Sequence, residues 1–276
     1  MQAVFRSLLF VPGNRPDRFE KSAKAGADAV IIDLEDAVLP EDKASAREAA
    51  LAALPTSVSG ASLGIRINSP RTSDGCADIA AISESAETPA FIMVPKAETG
   101  IDIEIVREAT GEAAPVMAVI ESGRGLRRAF DIAKQSRGGV LFGGADYSAS
   151  LGADLGDWGA MTVARGTIAG ACGAAGVPAY DVPFLDVEDE SGLAESTARA
   201  KAFGFAGRAC IHPAQISTVN AVFAPSEADI EGAKAVLAAM DAAEGGAVLH
   251  KGKLVDRPVV LAAERVLAAA GQAKGQ

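Results

Sequence analysis

The chain has 276 residues, with 26 Lys and Arg against 36 Asp and Glu and a formal net charge of −10. This length suits one large α/β domain or two small ones. With 49% apolar and 22% charged residues, the composition is that of a globular protein and excludes a disordered one. An acidic chain without clustered Lys and Arg also argues against nucleic acid or an acidic membrane surface as a partner.

Histidine is scarce, which limits the kind of metal site the chain can build. The two histidines, His212 and His250, are too few for a His-rich zinc or iron centre. Any bound metal would therefore depend on carboxylates. Carboxylate ligands favour a hard ion such as Mg²⁺.

The cysteines and the first residues predict a cytoplasmic protein. Cys76, Cys172 and Cys210 form no CxxC motif, and three free thiols suit a reducing compartment. The stretch up to Gly13 makes a poor signal peptide, because Arg6 splits a short apolar run. No apolar run approaches the roughly 18 residues that indicate a membrane span.

Eight short apolar runs recur along the chain, as expected for strands that are buried on both faces. Helical segments between them would complete a (β/α)8 TIM barrel. An open doubly wound sheet is the alternative, less favoured because no GxGxxG motif follows the first strand. The strands are predicted at 4–5 with 7–11, 29–33, 63–67, 90–94, 116–120, 140–142, 179–182 and 208–211, and helices at 17–25, 40–53, 123–135, 158–175 and 191–203.

The pattern changes at Pro225, so we predict a catalytic barrel domain over 1–224 and a C-terminal extension over 225–276. A capping box at Ser226 begins a helix to residue 243, a small hairpin flanks 251–252, and a last helix runs over 258–270. This tail is longer than a closed barrel requires. We expect it to be a lid or an arm that packs on a neighbouring subunit.

Acidic residues follow the predicted strands, where barrel enzymes place their chemistry. Glu121 and Asp146 end neighbouring strands five and six, close enough to share one metal ion. Asp33 and Glu35 alternate at the end of strand two and would hydrogen-bond the water around that ion. Ion pairing with Arg or helix capping is the alternative role for each acid.

Arg66 ends strand three, where a guanidinium can hold a substrate carboxylate or stabilise a developing oxyanion. Its alternative is a structural ion pair with the acids after strand two. Lys96 either binds substrate or pairs with Glu98. His212 is expected to be a rim residue rather than a base, and Cys210 a core residue.

Seven motifs occur in an order that resembles the citrate lyase beta subunit family, which includes malyl-CoA and citramalyl-CoA lyases. They are RSLLFVPG at 6–13, DLEDAV at 33–38, RIN at 66–68, PKAE at 95–98, ES at 121–122, GGADY at 143–147 and IHP at 211–213. The resemblance covers essentially the whole chain. It is specific for the family but not for one substrate.

The resemblance implies a TIM barrel with bound Mg²⁺ that cleaves a 3-hydroxy acyl thioester to a 2-keto acid and acetyl-CoA or a homologue. It matches Glu121 and Asp146 to the metal ligands, and Asp33 and Glu35 to catalytic acids beside the metal. It matches Arg66 to the catalytic arginine that contacts the substrate and the thioester oxygen. The residues expected to bind substrate are Arg66, Lys96, Gly144, Ala145 and Asp146.

The segment GKLVDRP at 252–258 resembles the tail of the malyl-CoA and citramalyl-CoA lyases. In that family the aspartate is the acid/base and reaches a neighbouring subunit's active site, which implies that Asp256 is catalytic. The resemblance also implies a homo-oligomer, a trimer or a hexamer. Helix capping before Pro258 is the alternative role for Asp256.

Several functions remain open on the sequence alone. The main expectation is a CoA-thioester lyase; the alternatives are a citrate lyase subunit acting on a carrier protein, a thioesterase, and a non-catalytic binding protein. The keto acid could be glyoxylate, pyruvate or oxaloacetate. Arg15 and Arg18 either contact CoA phosphates or are solvated at a helix start.

Overall fold

The computed structural model describes residues 4–54, 60–243, 246–250 and 252–274. The chain divides into two compact units, Met1–Asn220 and Ala221–Gln276. The first unit is an α/β barrel and the second is helical with a small hairpin.

Eight strands of the described residues form a closed, all-parallel barrel in chain order, with the eighth strand paired to the first. This confirms the predicted TIM barrel and rules out the open sheet. Seven of the eight predicted runs overlap the observed strands closely, and the first strand begins only at Ser7. The strands are β1 (Ser7–Pro12), β2 (Ala29–Asp33), β3 (Ser62–Arg66), β4 (Ile92–Val94), β5 (Val116–Ile120), β6 (Gly139–Phe142), β7 (Ala179–Asp181) and β8 (Gly207–Cys210).

Helices follow the strands and cover the outside of the barrel. They are α1 (Phe19–Ala23), α2 (Lys43–Ala53), α3 (Ser73–Glu84), α4 (Gly100–Ala109), α5 (Gly123–Leu126), α6 (Ala129–Gln135), α7 (Gly144–Leu151), α8 (Trp158–Ala175), α9 (Glu190–Ala202) and α10 (Ile216–Phe223). Short 3-10 turns precede α1, α2 and α10. The single helix predicted over 123–135 is instead two helices, because Arg128 leaves the helical conformation with φ of −116° and ψ of 22°.

The barrel interior is filled by apolar side chains from the strands, including Leu8, Ile31, Met93 and Met117. Gly64 permits this packing, because a Cβ there would lie 2.3 Å from the Phe91 ring. The three cysteines are free thiols, and the predicted core residue Cys210 is fully buried. Within the described residues, no helix combines the length and hydropathy needed to cross a membrane.

The second unit consists of α11 (Glu227–Ala242), an antiparallel pair β9 (Val248–His250) and β10 (Lys253–Val255), and α12 (Arg257–Lys274). Ser226 and Asp229 form the predicted capping box at the start of α11. The two strands of the predicted hairpin are present, whereas Lys251 and Gly245, which the prediction also included, lie outside the described residues.

Candidate active site at the carboxyl ends of the strands

A cavity of about 460 Å³ opens at the carboxyl ends of the barrel strands. Its polar wall consists of Asp33, Asp36, Arg66, Glu121 and Asp146, which come from four different strand ends or the segments that follow them. Residues far apart in the sequence meet here because parallel strands all end at the same rim of the barrel. Five of the predicted site residues, these acids other than Asp36 together with Arg66 and Ala145, therefore share one cavity.

Arg66 is held by acids that follow β2. Its Nε and Nη2 each donate a 2.7 Å hydrogen bond to Asp33, one to each carboxylate oxygen. Nη1 makes an ion pair of 3.1 Å with Glu35 Oε2. The structural ion pair considered for Arg66 is therefore present, but a guanidinium has five N–H donors, and these contacts do not use all of them.

The electrostatic environment keeps Arg66 charged. Burial alone would lower the pKa of Arg66, but the hydrogen bonds and charge of Asp33, with the charge of Glu35, raise the pKa above its ordinary value. The guanidinium also lies 4.9 Å from the centre of the Phe10 ring, which is attractive for a cation. Arg66 is thus a fixed positive charge on the cavity wall.

Lys96 does not form the pair with Glu98 that was one of its two expected roles. Its Nζ contacts Glu35 Oε1 and lies 3.3 Å from Asp36 Oδ1. Glu98, the partner considered from the sequence, is paired instead with Arg71 and Arg124. The prediction of a Lys96–Glu98 pair was wrong, because the side chain of Lys96 reaches across to the acids that follow β2.

The carboxylates around Lys96 respond differently to their surroundings. Burial raises the pKa of Glu35, even though Arg66 and Lys96 oppose it. For Asp36, burial alone would raise the pKa, but hydrogen bonding with Glu35 and the charges of Arg66 and Lys96 lower it below its usual range. Burial alone would also lower the pKa of Lys96, and its hydrogen bond and ion pair with Glu35 raise it instead.

Glu121 follows β5 and is buried at the base of the cavity's polar wall. Its Oε1 accepts a 2.5 Å hydrogen bond from the main-chain N–H of Lys96. Burial raises the pKa of Glu121 to about 7, and the negative charges of Glu35 and Asp146 add to the shift. Asp146, the other predicted metal ligand, lines the same cavity.

Asp146 comes from a helix, not from a strand end as we expected. β6 stops at Phe142, and Asp146 lies in the first turn of α7. A carboxylate is favourable there because of the partial positive charge at a helix N-terminus. The prediction that it faces the same cavity as Glu121 agrees with the structure, although the element that carries it differs.

Gly143 is the site residue that the sequence reasoning missed. A Cβ at Gly143 would lie 2.5 Å from Glu121 Cβ and 2.7 Å from its Oε2, so only glycine leaves room for that carboxylate. Ala145 lines the cavity as expected. Gly144 has a packing role, since a Cβ there would lie 2.9 Å from Leu155 and 3.0 Å from Phe142. The pair of glycines after an apolar run was the available signal.

The donor set fits a hard divalent cation. Glu121 and Asp146 both line the cavity with carboxylates, and burial raises the pKa of Glu121, with the charges of Glu35 and Asp146 adding to the shift. No group of three or more His, Cys, Asp or Glu in the described parts of the chain has metal-binding geometry. An ion at Glu121 and Asp146 would therefore keep positions for water and substrate, as Mg²⁺ commonly does.

The remaining candidates have local structural contacts. Asp256 precedes α12, where its Oδ1 accepts a 3.4 Å hydrogen bond from Val259 N–H, in agreement with the capping alternative. His212 Nδ1 accepts from Ala214 N–H at the start of a 3-10 turn, as expected for a rim residue. Arg15 pairs with Asp17 on the surface.

A closed (β/α)8 barrel with acids and an arginine around one mouth is the architecture of a TIM-barrel enzyme. Residues 6–213 match the HpcH/HpaI aldolase/citrate lyase family, and the chain belongs to that family. This confirms the relationship indicated by the ordered motifs. The family name places the chain among aldolases and lyases.

Three similar proteins illustrate the family. The chain is 37% identical to citrate lyase subunit beta of Leuconostoc mesenteroides subsp. cremoris, over 95% of this chain and 92% of that protein. It is 33% identical to the L-malyl-CoA/beta-methylmalyl-CoA lyase of Cereibacter sphaeroides, over 95% of this chain and 93% of that protein. The crystal structure of CitE from Mycobacterium tuberculosis, in complex with magnesium, acetoacetate and coenzyme A, is similar with a TM-score of 0.82 and 35% identity, over 98% of this chain and 100% of that one.

Proposed function

We propose that this protein is a magnesium-dependent carbon–carbon lyase. Its substrate would be a 3-hydroxy-dicarboxyl acyl-CoA thioester of the malyl-CoA or citramalyl-CoA type, cleaved by reverse Claisen chemistry to a 2-keto acid and acetyl-CoA or a homologue. The observation that carries the proposal is the meeting of Glu121, Asp146 and Arg66 in one cavity. The lyases among its relatives and the magnesium and coenzyme A bound to the M. tuberculosis protein support it.

Glu121 and Asp146 would hold Mg²⁺. When bound, the ion would supply Lewis-acid polarisation of the carboxylate and hydroxyl oxygens on the acid half of the substrate. The chain prepares for this by fixing Glu121 through the Lys96 N–H and by excluding a side chain at position 143. The oxygen atoms of the two carboxylates would be the protein's ligands to that ion.

Arg66 would stabilise charge on the other half of the substrate. As the C–C bond breaks, the substrate hydroxyl gives its proton to a water molecule and its oxygen becomes the keto oxygen. The electron pair of the broken bond moves into the thioester, whose oxygen becomes an enolate oxygen. A preorganised guanidinium beside that oxygen stabilises the negative charge that develops in the transition state. Asp33 keeps Arg66 in place through two hydrogen bonds, so its contribution is to position Arg66. Glu35 adds an ion pair to Arg66 and would lie beside the metal's water.

Asp256 would protonate the enolate carbon to give acetyl-CoA or its homologue. In the condensation direction it would remove that proton instead. The support for this role is the resemblance of the tail segment to that of the CoA lyases, in which a neighbouring subunit supplies the aspartate. The proposal therefore includes a homo-oligomer, a trimer or a hexamer, in which the extension over 225–276 completes the next subunit's site.

The test is a panel of malyl-, citramalyl- and citryl-CoA with and without Mg²⁺, with keto acid and free thiol measured separately. We expect Mg²⁺-dependent keto acid from malyl-CoA or citramalyl-CoA without release of free CoA. Free CoA without keto acid would identify a thioesterase. Turnover restricted to a citryl group on a carrier protein would identify a citrate lyase subunit, and binding without turnover a non-catalytic protein.

A further inference from the structure

A second cavity, of about 490 Å³, shares no charged residue with the cavity at the carboxyl ends of the strands, the barrel-mouth cavity. Two arginines line it, Arg165 from α8 and Arg208 from β8. Tyr180 and Ala209 belong to the barrel interior, so their strand neighbours Asp181 and Arg208 point to the outer face of the barrel, since side chains alternate along a strand. The cavity therefore lies between the outer face of these strands and the helices that cover them.

Two guanidinium groups are buried here against a single carboxylate. The side chains of Arg165 and Arg208 are 3% and 1% exposed, and that of Asp181 is fully buried. Arg165 Nε donates a 2.9 Å hydrogen bond to Asp181 Oδ1, and Arg208 Nη2 donates one of 2.5 Å to Oδ2. Asp181 is the one carboxylate of the described residues that pairs with either arginine. The cluster therefore has one positive charge in excess, and burial of an unpaired charge is unfavourable.

The same arginines have hydrogen-bond donors to spare. Three buried nitrogen atoms, Arg165 Nη1, Arg208 Nε and Arg208 Nη1, have no hydrogen-bond partner among the described residues. Nη2 of Arg208 also lies 3.0 Å from Ser196 Oγ. The Arg165 guanidinium lies 4.1 Å from the centre of the Trp158 ring, which stabilises a cation but adds no negative charge. An anion in the cavity would compensate the excess charge and supply acceptors.

Apolar side chains form much of the remaining wall. They come from the start of α8 and from the segment that follows β7, and they are Leu155, Trp158, Val182, Pro183, Phe184 and Leu185. A ligand that fills this cavity therefore contacts apolar surface as well as the two guanidinium groups.

Exposed acids limit the charge that such a ligand can carry. Asp154, Asp186, Asp189 and Glu195 also line the cavity, and they are exposed whereas the two arginines are buried. The three aspartates each accept a hydrogen bond from a nearby main-chain N–H, which holds their carboxylates in place. A ligand with several anionic groups would be repelled by these acids, whereas a single anionic group matches the one excess positive charge.

We propose that this cavity binds a small organic monoanion, with its carboxylate at Arg165 and Arg208 and its apolar body against the segment that follows β7. The site is distinct from the proposed catalytic one, and the inference does not depend on the proposed function. The two cavities are adjacent, since Val182, Pro183 and Leu185 line both. Binding must therefore be assigned to one of them.

Trp158 supplies a local readout, because it is the chain's single tryptophan and lines this cavity but not the barrel-mouth cavity. Fluorescence titration of the wild-type protein compares three probes. They are 4-methylpentanoate, 4-methylpentanamide, which has the same carbon skeleton without the charge, and inorganic phosphate, which has charge without an apolar body. We expect a saturable change with 4-methylpentanoate and at least about tenfold weaker binding of the other two.

Arg208→Met tests the assignment to this cavity by calorimetric titration. It leaves Arg165 and Asp181 as a matched pair without excess charge, and it should weaken 4-methylpentanoate binding at least about tenfold. Arg124→Met is the matched control, because the Arg124 side chain is 73% exposed, pairs with Glu98 and lines neither cavity. It should leave the affinity unchanged.

Four results would overturn the inference. Absence of any saturable fluorescence or heat change with 4-methylpentanoate would show that the cavity is not a carboxylate site. Equal binding of the amide would show that the arginines do not recognise charge, and equal binding of phosphate would show that the apolar wall has no part in recognition. Undiminished binding by folded Arg208→Met protein would place the ligand elsewhere. If that variant does not fold, the comparison of the three probes on the wild-type protein decides the matter.

Discussion

The main-chain N–H of Lys96 donates a 2.5 Å hydrogen bond to Oε1 of Glu121 from a left-handed backbone conformation, with φ of 53°. A residue with a Cβ pays roughly 1 kcal/mol for this conformation. The same residue sends its ammonium group to Glu35 and Asp36. Lys96 therefore links the proposed metal carboxylate to the acids that hold Arg66, and backbone strain is part of that arrangement.

Replacement of Lys96 separates its backbone role from its side-chain role. Lys96→Gly and Lys96→Ala lose the same ion pairs, but only glycine relieves the left-handed strain. We expect the glycine variant to be more stable than the alanine variant by about 1 kcal/mol. Urea unfolding of the two variants measures the difference. An alanine variant as stable as the glycine variant would show that the conformation at position 96 is not strained.

Gly143→Ala should weaken Mg²⁺ binding by at least about tenfold, because the added methyl group displaces the Glu121 carboxylate. The backbone itself tolerates alanine, since φ at position 143 is −83°. Calorimetric Mg²⁺ titration measures the effect.

Gly166→Ala is the matched control for that substitution. Gly166 lies within α8, and a Cβ there has no atom within 4 Å. It should leave Mg²⁺ affinity unchanged and stabilise the helix slightly. Equal Mg²⁺ affinity in both variants would mean that the close approach of Gly143 to Glu121 has no bearing on the ion.

The raised pKa of Glu121 predicts how stability depends on pH without metal. The pKa of Glu121 is about 7 in the folded protein against an ordinary 4.5, so the folded state binds more protons in that window. The free energy of unfolding attributable to this group therefore falls as pH rises from about 4.5 to 7, with a slope of at most about 1.4 kcal/mol per pH unit. Well above pH 7 the decrease in the free energy of unfolding that this group causes is complete.

Glu121→Gln isolates this contribution, because the glutamine has no titrating carboxyl. Urea unfolding in the presence of a chelator at several pH values should show a shallower decline for the variant than for the wild type between pH 5 and 7. Identical pH dependence of the two proteins would show that Glu121 titrates normally.

The proposed role of Asp256 is tested by subunit mixing. Asp256→Asn should abolish turnover while Mg²⁺ and keto acid still bind. Co-expression of that variant with Glu121→Gln, each inactive alone, should restore about a quarter of the sites if a neighbouring subunit supplies Asp256 and assembly is random. Full turnover by Asp256→Asn alone would exclude it as the acid/base, and absence of recovery in the mixed oligomer would exclude its action across subunits.

The barrel was predictable because its strands are buried on both faces and therefore form continuous apolar runs, as at 29–33 and 116–120. The strand-end rule then located Arg66 and Glu121 without any coordinates. The residues at which helices begin and end were harder to predict from the sequence. The division of the predicted helix over 123–135 depends on the local conformation of Arg128, which no residue pattern there specifies.

The contacts between site residues were not predictable in the same way. Lys96 pairs with acids about sixty positions earlier in the chain rather than with nearby Glu98, because β2 and β4 end at the same rim. The glycine pair that includes Gly143 is visible in the sequence, but the reason for it, the volume that Gly143 leaves for Glu121, depends on the fold. Sequence patterns report the residue types of a site, whereas these pairings depend on three-dimensional register.

The most direct test of the central claim measures keto acid and acyl-CoA product from a malyl- or citramalyl-CoA substrate as the Mg²⁺ concentration is varied, for the wild type and for Glu121→Gln. We expect the wild type to form both products in equal amounts only when Mg²⁺ is present. We expect Glu121→Gln to lose this activity because it no longer holds the ion. Undiminished cleavage by the wild type in excess chelator, or by Glu121→Gln at the same Mg²⁺ dependence, would contradict a magnesium-dependent lyase site at Glu121 and Asp146.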